Sequence, residues 1–391
     1  MSTGVGRAPT VEQLLAAKEI AVCCGSGGVG KTTTAAAMAA MSAVALGSKT
    51  LVITVDPARR LADALGMDGL GNVERKIEPS AFKEAGVEPR GELWAAMLDT
   101  KQSWDELVQR HAPDRATAER ILNNRLYENV AGRFVQSHEY IAMERLYDAH
   151  ASGRYDLIVV DTPPTRSAVD FLRAPDRMAE FFASKLLRWL TAPSRSRMLN
   201  LASRPFYQVA DRLLGSQFLE DVSEFFLLFQ SMYAGFAQRA ASVKRLLHDR
   251  RTTFVVVSTL EAAPLREAED FLAVLVREGF HPGALVLNKV LPPYLLDPAL
   301  GAVAERLAAN APALGQLVAE DAEPTSPATV ARVLREVAES FLNFSVVAKR
   351  EAEQRAELGT VPDVVASVPY FDQDICDLRG LLALGRTVWG G

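Results

Sequence analysis

At 391 residues, with 49% apolar and 23% charged side chains, the chain is long enough for a large α/β core with insertions or for two lobes, and it lacks the low hydrophobicity of a disordered polymer. Its 43 basic and 48 acidic residues give a net charge of -5, which offers nucleic acid or an anionic membrane no broad attraction. Three cysteines without a CxxC pair and five histidines without HExxH spacing argue against a disulfide framework and a structural zinc, and point to a reducing, cytoplasmic setting.

Residues 1–17 read as an N-terminal extension without an apolar targeting core, and no later apolar run is long enough for stable insertion in a bilayer. The first predicted strand, Glu19–Cys24, runs into Gly25-Ser26-Gly27-Gly28-Val29-Gly30-Lys31-Thr32 and then into an alanine-rich helix starting near Thr33. A strand, a glycine-rich turn ending in Lys-Thr and a helix make a phosphate cradle: backbone N–H groups and the helix N-terminus face the phosphates, Lys31 bridges them, and the Thr32 hydroxyl suits Mg²⁺.

Short apolar runs then alternate with helical patterns, as in a mostly parallel, twisted sheet covered on both faces. After Glu19–Cys24 the predicted strands are Thr50–Val55, Leu93–Leu98, Leu157–Val160, Thr253–Ser258, Ala284–Leu287 and Val364–Val368. Two aspartates, Asp56 and Asp161, stand at strand ends on the edge that carries the phosphate loop. An aspartate at a strand end is by default a turn former or helix cap; a pair beside such a loop suits orienting a water and supporting a metal.

The organisation expected is a core over residues 18–99, a helical insertion over 100–153, a core strand with its following loop over 154–166, a helical subdomain over 167–250, and the rest of the core over 251–391. Two aromatic stripes recur at helical spacing in the subdomain, Met178–Leu190 and Phe218–Phe236. Residues 327–358 form a further helical stretch with a charged second half, and Leu378–Trp389 reads as a closing helix.

The segment Cys24–Thr33 resembles the deviant Walker A loop of the dimeric ATPases that include ParA and MinD. Within that class, Thr54–Asp63 is similar to switch I, and Asp161–Thr165 to switch II, of the arsenical pump ATPase ArsA and its relatives that target tail-anchored membrane proteins. The resemblance, to the bacterial branch lacking CxxC, spans about residues 18–385. It implies a P-loop NTPase fold and a magnesium-dependent ATPase, with ATP and Mg²⁺ as cofactors. Gly25 to Thr33 would hold the nucleotide, Lys31 and Asp56 would be catalytic, and Thr32 and Asp161 would serve the metal, Asp161 through water. Asn288, with Pro369, Tyr370 and Phe371, falls where the family holds adenine.

The family's signature lysine, which reaches the partner's phosphates across the dimer, is replaced by Ser26. The resemblance therefore implies either a homodimer compensated by Arg59, Arg60 or Arg166, each equally readable as a surface arginine, or a heterodimer with a lysine-bearing paralogue. In the targeting relatives the helical insertions make a groove for a hydrophobic client, so the aromatic stripes are either such a groove or plain core. Arsenite pumping would need convergent thiolates that the subdomain lacks, and a non-catalytic nucleotide-sensing scaffold is the remaining alternative.

Overall fold

A computed structural model describes residues 9–54, 60–67, 71–124, 127, 137–162, 172–173, 176–177, 180, 224–228, 230–321, 326–359 and 362–390. Its strands are β1 (Ile20–Cys24), β2 (Lys49–Thr54), β3 (Arg75–Lys76), β4 (Glu92–Met97), β5 (Leu157–Asp161), β6 (Thr252–Ser258), β7 (Pro282–Val290) and β8 (Val364–Pro369). They form one 8-stranded sheet in the order β3-β4-β2-β5-β1-β6-β7-β8, parallel except at the β3–β4 pair.

Continuous apolar strands follow from cover on both sides. Ile20, Val22 and Cys24 face one core, shared with α2 (Thr100–His111), α3 (Ser137–Ala151), α4 (Tyr233–Leu247) and α5 (Ala262–Arg277). Ala21 and Cys23 face the other, and there α1 (Lys31–Met41) is packed by its alanines. Small side chains let this helix lie close to the sheet, so an enlarged residue at Ala37 or Ala39 would overpack a fully buried surface. The closing helix read from Leu378–Trp389 is α8 (Leu378–Gly390), whose Leu381, Leu382, Leu384 and Val388 are buried in that same core. Helices α6 (Pro298–Asp321) and α7 (Pro327–Ala356) are joined as an antiparallel hairpin between β7 and β8.

Three features depart from the sequence expectation. β3 is a two-residue antiparallel edge of charged residues, with no apolar run to announce it; its ladder comes from pairing with Trp94 and Ala95. β7 continues past Leu287 to Val290, so Asn288 and Lys289 lie within the strand, at a register shift where Lys289 adopts φ 59. The helical pattern of 327–358 has a partner, α6, that was not foreseen.

Helices of the 100–153 segment share the sheet's own core: Trp104 stacks on Tyr140 at 6.1 Å, and both meet Phe236. The described part of the second aromatic stripe is accordingly core, with Phe225, Met232 and Phe236 each buried. The stripe Met178–Leu190, and Phe218, Val222 and Phe229, lie outside the described residues. No helix among the described residues is long and apolar enough to cross a membrane.

Candidate functional site

The site lies at the carboxyl edge of β1, β5 and β2, which are neighbours in the sheet. β1 ends at Cys24 and α1 begins at Lys31, so Gly25–Gly30 carry the chain over that edge. Gly30 caps the helix at φ 95, and a Cβ there would sit 2.2 Å from Asn288 Nδ2; one at Gly25 would sit 2.1 Å from the Val257 carbonyl oxygen. Both positions admit glycine alone, which lets the loop backbone lie against the Val257 carbonyl at Gly25 and against the Asn288 amide at Gly30. The start of α1 adds the partial positive charge of a helix N-terminus.

Lys31 is buried and donates to the Ser26 carbonyl oxygen at 2.6 Å. Its ammonium therefore lies within the loop, held by an acceptor that a phosphate oxygen can replace. Thr32 donates its hydroxyl to Asp161 Oδ2 at 2.7 Å, and Thr54, at the end of β2, donates to the same oxygen at 2.8 Å. Asp161 is fully buried, a position a carboxylate keeps only with hydrogen-bond donors around it. Thr162 anchors the following loop by donating to the Cys23 carbonyl oxygen at 2.8 Å.

The loop's outer side is clamped from two other elements. Asn288 donates Nδ2 to the Val29 carbonyl oxygen at 2.8 Å and accepts the Lys289 N–H at 2.9 Å, while Lys289 Nζ reaches the Gly28 carbonyl oxygen at 3.4 Å. Ser26 donates its hydroxyl to Glu267 of α5. Tyr370 N–H donates to the Val290 carbonyl oxygen at 2.9 Å, so Pro369, the last residue of β8, and Tyr370 and Phe371 just beyond it lie beside the end of β7 that carries Asn288; Tyr370 is exposed, and Phe371 packs on the α1 side. Thr33, with Thr32, lines a cavity of about 160 Å³ shared with Leu61, Asp63 and Ile375.

Lys31, Thr32, Asp161, Asn288 and Gly25–Gly30 are thus together on one edge. Asp56, Arg59 and Arg166 lie outside the described residues, as does the side chain of Arg60. Sequence reasoning overlooked Thr54, Glu267 and the loop contact of Lys289. Thr54 was visible two residues before Asp56; Glu267, in mid-helix and 241 residues from its partner, carried no signal at all. Cys23 and Cys24 are buried beneath the site, and burial pushes the Cys24 thiol up to about 12, which makes it a packing group and no nucleophile.

Hydroxyl and carboxylate oxygens beside a glycine-rich loop that holds a lysine ammonium suit a hard divalent cation, and Thr32 with Asp161 are the residues that fit Mg²⁺.

Residues 18–316 match the anion-transporting ATPase family. The chain is 29% identical over 276 residues to ATPase ASNA1 homolog 1 of Paramecium tetraurelia, covering 69% of this chain and 74% of that protein. It is 25% identical over 288 residues to ATPase GET3 of Malassezia globosa, covering 73% and 77%. A putative arsenical pump-driving ATPase of Chlorobaculum tepidum is 24% identical over 274 residues, which span 68% of this chain and 60% of that protein.

Proposed function

The chain belongs to the anion-transporting ATPase family and is an ATP hydrolase, and from that premise we propose that it is a magnesium-dependent switch whose nucleotide cycle, run in a dimer, rearranges its helices around a hydrophobic client. The observation that carries the catalytic part is the convergence of Thr32 and Thr54 on buried Asp161, beside a loop that already holds a lysine ammonium. Lys31 exchanges the Ser26 carbonyl for phosphate oxygens. Thr32 and Asp161 would hold Mg²⁺, Asp161 through water, with Thr54 fixing the carboxylate, and the metal would supply neutralising charge to the phosphates. Asp56 orients the attacking water, and Asn288 with Pro369, Tyr370 and Phe371 receives the base.

Ser26 bears on the dimer. Its hydroxyl sits on Glu267, so the loop meets an acidic group where a relative would carry an ammonium. A lysine-bearing paralogue would find in Glu267 a carboxylate to dock on and would supply the missing cation; Lys289, already on the Gly28 carbonyl, is the alternative source within the chain. The client reading is favoured over anion pumping because Cys23 and Cys24 are buried in β1 and only Cys376 is exposed, which leaves no set of thiolates for arsenite. Buried Phe225, Met232 and Phe236 take no part in a client groove, so client contact falls to the rest of the 167–250 segment. Co-purification of a fluorescent apolar helix peptide with the chain, with and without ATP, tests this: nucleotide-dependent capture supports it, and capture of neither form rejects it.

A further inference from the structure

Beyond Val290 the chain makes a short turn, Pro293–Leu296, before α6, and the second half of α7 packs back against that turn. Between the turn, the ends of β7 and β8, and α7 lies a cavity of about 360 Å³, the size of a small-molecule site. Leu260, Val290, Leu296 and Ala348 give it an aliphatic wall, and no aromatic ring lines it. It is on the opposite face of the sheet from α1. Leu260 belongs to the core shared with α2 to α5, and Val290 packs on that core. Side chains alternate along β8, so Ser367 lines the cavity while Val368 is buried in the core on the α1 side.

Three polar groups line the cavity, and none is fully matched. Glu351 accepts the Leu291 N–H on Oε2 at 3.0 Å, and its second oxygen has no partner among the described residues. Arg355, one turn further along α7, would ordinarily pair with it, yet among the described residues Arg355 forms no ion pair. Ser367 Oγ is buried without a hydrogen-bond partner. Burial, with the charge of Glu261 adding to it, raises the Glu351 pKa, as befits a carboxylate short of a counter-charge.

Four residues of helix set Glu351 and Arg355 about 6 Å apart along its axis. An open carboxylate and an open guanidinium at that spacing, beside an aliphatic cavity, are complementary to a zwitterion with an aliphatic body. An amine would use Glu351 alone, a carboxylate Arg355 alone, and a neutral molecule neither. We propose that this cavity binds a free α-amino acid with an aliphatic side chain of about leucine size, its ammonium on Glu351 and its carboxylate on Arg355. The side chain fills the space against Leu260, Val290, Leu296 and Ala348. The Ser367 hydroxyl can accept from the ammonium or donate to the carboxylate. Both charged contacts come from α7 and most apolar ones from the sheet edge and the turn after it, so the ligand ties the hairpin to the core.

Calorimetric titration of the nucleotide-free full chain with leucine tests this, beside 3-methylbutylamine, which lacks the carboxylate, and 4-methylpentanoate, which lacks the ammonium. Leucine should bind with a dissociation constant below about 1 mM, and each analogue at least about tenfold more weakly, the worth of one charged hydrogen bond. Glu351→Gln keeps an oxygen for the Leu291 N–H but removes the charge. It should weaken leucine about tenfold or more and leave 4-methylpentanoate unchanged; Arg355→Gln should weaken leucine equally and leave 3-methylbutylamine unchanged. Ala352→Trp, at an exposed position lining the cavity, should block leucine without lowering the melting temperature. No binding at about 10 mM leucine, by heat or by thermal shift, overturns the proposal. So does leucine binding that survives Ala352→Trp or both charge variants, and so do analogues that bind as tightly as leucine.

Discussion

Thr32, the second residue of α1, donates its hydroxyl hydrogen at 2.7 Å to Asp161, the last residue of β5, and so ties the start of the phosphate-loop helix to the neighbouring strand end. Asp161→Ala removes the acceptor that Thr32 and Thr54 share. Phosphate release should fall roughly 10- to 100-fold, the range for groups that orient metal ligands. The fall should be accompanied by a raised magnesium requirement, measured by titrating Mg²⁺ at saturating ATP; an unchanged magnesium midpoint would remove Asp161 from the metal's surroundings.

Gly30 and Asn288 are a matched pair, the one lacking the atom that the other's amide would meet at 2.2 Å. Gly30→Ala combines left-handed strain of about 1–2 kcal/mol with that clash, and nucleotide binding should be lost even if the fold survives. Asn288→Ala leaves the Val29 carbonyl without its donor, at about 1–3 kcal/mol. Calorimetric ATP titration with thermal melts reads both: the first variant loses affinity outright, the second loses stability together with affinity.

Restoring a lysine at position 26 breaks the Ser26–Glu267 bond and supplies the cation that relatives pass across the dimer. Of the 10³-fold or more that such a cation contributes to phosphoryl transfer, Ser26→Lys should recover at least about tenfold in turnover by the isolated chain. Wild-type turnover already at the Ser26→Lys rate would show that the chain is self-sufficient and needs no lysine-bearing partner.

His111 packs on Phe236 at 5.0 Å, and burial, with Arg110 and Arg239 nearby, lowers its pKa to about 4. The unfolded chain protonates it near its ordinary value of about 6.5, so between those limits the unfolded state binds more protons and stability rises with pH. The contribution is full above about pH 6.5 and is lost as pH falls towards 4, by roughly 2 to 3 kcal/mol. Urea unfolding of His111→Phe should show a shallower decline than wild type across this window; parallel curves would exclude His111 as its source.

The loop was readable because its chemistry is local: Gly25 to Thr32 must be contiguous, and the strand and helix that hold them are strongly patterned. Asp161 could be singled out for the same reason, as a carboxylate at the end of a buried run. What stayed hidden depends on distant pairing. β3 has no pattern of its own, and Glu267 is one surface carboxylate among many until the fold sets it on Ser26. β7 was cut short because Asn288 and Lys289 look like a strand's end, although the ladder resumes at Val290. α6 was missed because an alanine-rich helix packed by small residues lacks the contrast of an amphipathic one.

The most direct test is phosphate release from ATP by the purified chain, with and without magnesium, for wild type, Lys31→Ala and Asp56→Asn. Magnesium-dependent hydrolysis that either substitution abolishes is the predicted result. Hydrolysis that needs no magnesium, or that survives both substitutions, would contradict the assignment of this loop and its strand-end aspartates as the ATPase site.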